Sequence, residues 1–236
     1  MIAIRFKEIG EFRYEIRRFL FVPPCVKLEN DRRVYKRRMH MFEILIASKY
    51  SKDVSDKISK IFVDGFYQWL LYFSKDKKKL MNAFSHMFNT NIFYVALSDG
   101  QLCGIAACSD GKAKSVHLEK RKLQKHLGLV KGTIAYVILK REFEEKQYPF
   151  PIEPDTGFIE FVATSPEYRG QGVASEIITN IFKETPHTNY VLEVADTNYN
   201  AVNLYTKLGF KEFKRVAEKH SKRSGINYLV YMRYIK

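Results

Sequence analysis

The chain has 236 residues, of which 46% are hydrophobic and 14% aromatic, so it can bury one substantial core; two full domains would be cramped, and a disordered chain is excluded. Its formal charge of +14 draws anionic partners, whether nucleic acid, anionic membranes or polyanionic small molecules, through one long-range field. Residues 1–40 hold 11 Lys/Arg against 5 Asp/Glu, so the excess is spread along the chain and no single tail carries it.

Residues 1–38 differ in character from the rest of the chain. Pro23-Pro24 breaks any regular element, and Arg32-Arg33 and Lys36-Arg37-Arg38 are basic runs. They read as a basic arm or accessory segment before a domain over 39–236. Charges interrupt the apolar positions from Met1 to Arg18, and no stretch approaches the roughly 20 apolar residues of a membrane span. Neither a signal peptide nor an anchor is expected. Cys25, Cys103 and Cys108 lack metal-ligand spacing and cannot all pair, which fits a reducing, cytoplasmic setting. Cys103 and Cys108 fall in an apolar run and read as buried thiols.

Phe42–Ile46 predicts a strand. From Asp53 to Phe88 the apolar positions Ile58, Ile61, Phe62, Phe66, Trp69, Leu70 and Phe73 recur at helical steps. Gly65 is expected to divide this stretch and Ser74 to cap a second helix carrying Leu80, Phe84 and Phe88. Strands come next at Ile92–Leu97 and Leu102–Cys108 around the hairpin signal Ser98-Asp99-Gly100. Residues 115–147 read as helical, with Gly128 and Gly132 marking a break, and Pro149, Pro151 and Pro154 extend the approach to the next strand, Gly157–Thr164. A helix from about Gly170 to Lys183 presents Val173, Ile177, Ile178 and Ile181 on one face. Then come a strand Tyr190–Ala195, a short helix Ala201–Leu208, and strands Phe210–Ala217 and Asn227–Ile235. The order is mixed α/β.

The chemistry concentrates at Arg169-Gly170-Gln171-Gly172-Val173-Ala174. Glycines 170 and 172 let backbone amides approach an anion, and the start of a helix offers unpaired N–H groups and a positive dipole end. Arg169 adds a fixed cation with a planar donor fork. Such a turn can hold a pyrophosphate without a metal. It lacks the ending of a P-loop and the spacing of a dinucleotide fold, so alone it marks an anion site or merely a flexible helix start.

Arg169-x-x-Gly172-x-Ala174, preceded by Pro166-Glu167-Tyr168, resembles the acetyl-CoA signature of the GNAT superfamily of N-acetyltransferases. Asn198-x-x-Ala201-x-x-x-Tyr205, continuing as Leu208-Gly209-Phe210, is similar to that superfamily's second block, in the same order and separation. The motifs cover 157–217, and the order of elements covers roughly 41–236. The resemblance implies a mostly antiparallel central sheet flanked by helices. Two of its strands, here Gly157–Thr164 and Tyr190–Ala195, would splay to admit the pantetheine arm. It implies acetyl-CoA as co-substrate and an amine as acceptor, with direct transfer through a tetrahedral intermediate. Arg169, Gly170, Gln171, Gly172, Val173 and Ala174 would grip the pyrophosphate. The backbone of Val162 and Thr164 would hold pantetheine and the acetyl carbonyl, and Asn198 would bond the arm or shape its loop. Tyr205 would protonate the departing thiolate.

Glu160 interrupts the apolar run Phe158-Ile159-Glu160-Phe161-Val162, where a buried carboxylate becomes a stronger base. The two-residue strand period places it on one face with Val162 and Thr164. Glu193 is the second carboxylate, as suited to binding the amine as to acting on it, and a water is the third route. Six histidines without paired spacing argue against a metal site; His86 and His117 read as surface residues. The superfamily commonly joins its third and fourth strands by a short turn, whereas here a helical insert of about 112–150 intervenes and is expected to flank the acceptor cleft. Two further functions stay open beside the enzyme. One is a polyanion-binding protein docking RNA such as an aminoacyl-tRNA, the other a non-catalytic acyl-CoA sensor. No membrane partner is expected, and the sequence leaves the oligomeric state open, a dimer included.

Overall fold

Apolar runs, buried almost throughout in the central strands, draw seven strands into one sheet, β1 (Glu43–Ile46), β2 (Phe93–Ser98), β3 (Gln101–Ser109), β4 (Thr156–Thr164), β5 (Asn189–Ala195), β6 (Lys211–Ala217) and β7 (Tyr228–Ile235). Their spatial order is β1-β2-β3-β4-β5-β7-β6. Every neighbouring pair is antiparallel except β4–β5, which is parallel. This computed structural model describes residues 42–218, 221 and 225–236. The basic segment 1–38, with Cys25, lies outside the described residues.

The hairpin between β2 and β3 forms as its residues predict. Asp99 and Gly100 have φ of 49° and 73°, the pair of positive values a tight hairpin turn requires. Helix α1 (Val54–Leu70) instead runs straight through Gly65, where the sequence predicts a division. A Cβ at Gly65 would lie 3.1 Å from the Cβ of Ala163, so this glycine serves close packing of the helix on β4. Helix α2 (Lys77–Phe84) starts later than expected. Asp76 is its cap, accepting from Lys79 N at 3.1 Å, while Ser74 Oγ accepts from Asp76 N.

Between β3 and β4 the chain forms a helical pair, α3 (Lys120–Leu127) and α4 (Leu129–Leu139), then a π turn over Lys140–Glu144. Gly128, at φ 84°, makes the break. Gly132 lies inside α4, where a Cβ would sit 2.5 Å from Gln124 Cα; it lets the two helices touch backbone to backbone. Leu123, Ala135, Ile138 and Leu139 are buried in the same core as Phe62 and Phe84. The insert is therefore part of the core, and cutting it out would strip one side of α2.

Helices α1 to α4 cover one face of the sheet; α5 (Val173–Glu184) and α6 (Tyr199–Lys207) cover the other. Cys103 and Cys108 are buried, and burial pushes their thiols up to about 11 and about 12.

Two departures from regular sheet sit in β4. It pairs with β5 only at Thr156↔Asn189, Gly157↔Tyr190 and Phe158↔Val191, although both strands run on. Beyond those three rungs the strands part. Between Ala107↔Glu160 and Ile105↔Ala163, two residues of β4, Phe161 and Val162, face one of β3. This is a β-bulge, and Phe161 adopts φ 54°, a value bulky residues rarely take.

Candidate functional site

A cavity of about 510 Å³ opens beside the end of β4, beyond its last rung with β5. Val162 and Thr164 line it from the strand, Arg169, Gly170, Gly172, Val173 and Ala174 from the turn and helix start, and Tyr205 from α6. Eight of the residues singled out in the sequence thus converge on one space.

The turn is built to leave that space open. Gly170 and Gly172 have φ of 77° and 92°, and a Cβ at either would meet no atom within 4 Å. They are needed for backbone conformation and not for packing, so whatever approaches them comes from outside the fold. Gly172 caps α5 without any side-chain cap bond. The first-turn amides of a 12-residue helix therefore sit at the cavity wall with the positive dipole end behind them. Arg169 Nε donates to Thr164 O at 3.4 Å, tying the turn to the end of β4. Gln171 does not join this wall; its Nε2 donates to Glu167 O at 2.9 Å.

Tyr205 is 6% exposed, and burial raises its phenol far above the usual tyrosine range, so it stays protonated. Its ring meets Phe210 edge-on at 5.9 Å. Asn198 is buried and does not line the cavity. Its Oδ1 accepts from Ala201 N at 3.2 Å and caps α6, and so sets where Tyr205 stands about two turns later.

Glu160 is the clearest displacement. The bulge turns Phe161 and Glu160 to the same side, so Glu160 faces the insert while Val162 packs on the α5 side. The shared face expected for Glu160, Val162 and Thr164 does not exist, because the two-residue period ends at the bulge. Glu160 lies in a second cavity, of about 390 Å³, where it accepts from Ser109 Oγ at 3.3 Å, Tyr148 OH at 3.2 Å, and Ser115 Oγ. A third cavity, of about 450 Å³, holds Glu193 together with Arg141, Glu142, Glu145, Lys146, Gln147 and Pro149 of the insert.

Sequence reading missed Asn200, Asn203 and Lys207 of α6, all on the main cavity wall. Their three- and four-residue spacing, next to Tyr205, was the available signal: one polar stripe of the helix. His117 is exposed, whereas His86 is half-buried, accepts from Glu119 N at 3.0 Å, and is held below its usual range first by burial. Among the described residues no group of three or more His, Cys, Asp and Glu could hold a metal ion, and no helix is long and apolar enough to cross a membrane.

Residues 56–210 match the model of the Acetyltransferase (GNAT) family. The fold resembles that of an N-acetyltransferase from Staphylococcus aureus Mu50, 18% identical, covering 81% of this chain and 100% of the other, with a TM-score of 0.53. It also resembles PH1933 from Pyrococcus horikoshii OT3, 17% identical, covering 83% and 99%, with a TM-score of 0.50. A GNAT-family acetyltransferase from Bacillus cereus ATCC 10987 is 13% identical over 83% and 98%, at 0.50. At such identities the likeness is one of fold. No curated protein matches the sequence.

Proposed function

The chain belongs to the GNAT family of acetyltransferases, and from that premise we propose that it transfers an acetyl group from acetyl-CoA to a primary amine by direct attack. The observation that carries this reading is the cavity that joins the end of β4, beyond its last rung with β5, to the Arg169–Ala174 turn and to Tyr205. The fit to acetyl-CoA is physical. A pyrophosphate needs amides, a positive helix end and a cation around open space, and the two glycines supply that space. Bound there, the cofactor supplies an activated thioester.

In this reading the amides of Gly170, Gly172, Val173 and Ala174, with Arg169, hold the diphosphate. Lys207 at the cavity mouth adds a second cation. Val162 and Thr164 lie on the stretch of β4 that pairs with β3 and has no β5 partner, so backbone groups turned away from β3 are placed to hydrogen-bond the pantetheine amides. An N–H there also stabilises charge building on the carbonyl oxygen. Tyr205 donates its proton towards the leaving thiolate. Asn198 acts through the cap that positions it. Glu160 already accepts from three hydroxyls, so it takes the amine's proton along Tyr148 or Ser115 and not by direct contact. The insert walls the acceptor side.

The test is release of CoA thiol from acetyl-CoA across a panel of primary amines. Amine-dependent release is expected, and its absence with small-molecule and peptide amines alike would end the transferase reading. Gly172→Ala checks the anion grip separately. The added methyl meets no protein atom but occupies the approach to the amides. Acetyl-CoA affinity by calorimetry is expected to weaken on the order of tenfold, with about 1 kcal/mol or somewhat more lost in stability from the left-handed backbone. An unchanged affinity would move the diphosphate elsewhere.

A further inference from the structure

Lys146 lies at the foot of the insert, between the π turn and Pro149. Its Nζ is 3.3 Å from Glu193 Oε2 and 5.0 Å from the ring centre of Tyr148. Neither partner of this ion pair is on the open surface, with side chains 21% and 8% exposed. Glu193 stands on β5 two residues past Val191, the last residue that pairs with β4. It is therefore at the mouth of the gap. Its register partner is Tyr231, whose ring packs with Phe150 of the insert side, whereas Leu192 and Val194 belong to the core under α5. Lys146 also lines both cavities on that side, of about 450 and 390 Å³.

A primary ammonium on a four-carbon stem thus reaches over an aromatic face to a carboxylate at the mouth of the gap. That is the chemistry an alkylamine acceptor would need, performed by the chain's own side chain. Resting on the transferase reading above, we propose that the Glu193 carboxylate, together with the Tyr148 ring, is the acceptor's ammonium seat, held by Lys146 until an unbranched aliphatic primary amine displaces it. Two ammonium groups repel and cannot share one carboxylate well at this depth. A tethered resident also competes at an effective concentration in the millimolar range. Lys146 accordingly sets specificity. It screens out amines without a flexible stem, which cannot reach past it to Glu193, and anionic amines, which Glu193 repels.

The experiment is equilibrium binding of 1,5-diaminopentane, and of Nα-acetyl-lysine amide as the peptidyl form, by calorimetry without acetyl-CoA. Lys146→Met keeps stem length and removes the charge; it should tighten the preferred amine about tenfold. Adding Glu193→Gln should abolish that gain, while Lys146→Arg should bind no better than the parent. The arm that tightens identifies free diamine or peptidyl lysine as the source. Equal affinity of the parent and Lys146→Met for both amines would overturn the proposal, as would a gain that survives Glu193→Gln. Should Lys146→Met not fold, Glu193→Gln in the parent decides: amine binding must weaken at least about fivefold. Because binding is read without turnover, failure of the CoA-release assay would remove the transferase reading and leave this result legible.

Discussion

Tyr205→Phe is expected to lower kcat by about 10²-fold while acetyl-CoA affinity stays within about twofold. The substitution removes one oxygen and little else. The ring keeps its place because α6 is fixed by the Asn198 cap and because Phe210 packs on it at 5.9 Å. Burial raises the phenol, so it enters the reaction protonated at any working pH, and the change therefore deletes a proton donor and not a titrating charge. Loss confined to kcat is the mark of an interaction made in the transition state. Single-turnover kinetics with a saturating amine would show it, and full activity in the variant would remove Tyr205 from the chemistry. An equal fall in affinity would mean that the hydroxyl holds the cofactor instead.

Phe161→Ala is expected to cost about 3–5 kcal/mol, a large share of the roughly 5–15 kcal/mol of a typical domain. For a chain of this size that lowers Tm on the order of 10 °C. Phe161 is the meeting point of one core: its ring lies 6.1 Å from Phe62, 5.9 Å from Phe93 and 5.0 Å from Phe143, joining α1, β2 and the insert to β4. Yet its φ of 54° is strained for any residue with a Cβ. Packing of the ring is what maintains the bulge. The informative companion is Phe161→Gly, which leaves the same cavity but relieves the backbone. Glycine should exceed alanine here by about 1 kcal/mol, the reverse of its usual order in a strand. Thermal and denaturant melts compare the two; alanine the more stable would mean that the bulge had relaxed away.

Much of the fold was legible because its elements are long and periodic. The hairpin Ser98-Asp99-Gly100, the helix after Gly172 and the order of strands follow from residue period and turn chemistry. What escaped was decided by neighbours distant in sequence. Gly65 and Gly132 look like breaks in a one-dimensional pattern, but their missing side chains answer to Ala163 and Gln124. The site divides in the same way. The anion turn is a local device, and eight of its residues and their partners on β4 and α6 meet as read. Glu160 was misplaced because nothing in Phe158–Val162 announces a bulge; only the facing of β3 does. For Asn198 the sequence leaves open bonding the pantetheine arm or shaping its loop, and its oxygen caps a helix, in keeping with the second. Lys146, unremarkable in sequence, became informative only beside Glu193.

The three rungs between β4 and β5 leave two strand edges facing each other inside the molecule. Exposed edges of this kind invite pairing with other chains, and proteins ordinarily blunt them. Here a bound pantetheine arm would serve as the missing rung, so the cofactor would be part of the architecture as well as a reactant. Folding and cofactor supply are then linked by mass action: at a hundredfold excess over Kd the native state gains about 2.7 kcal/mol. On the proposed function, a cell short of acetyl-CoA would hold not only an idle enzyme but a less durable one.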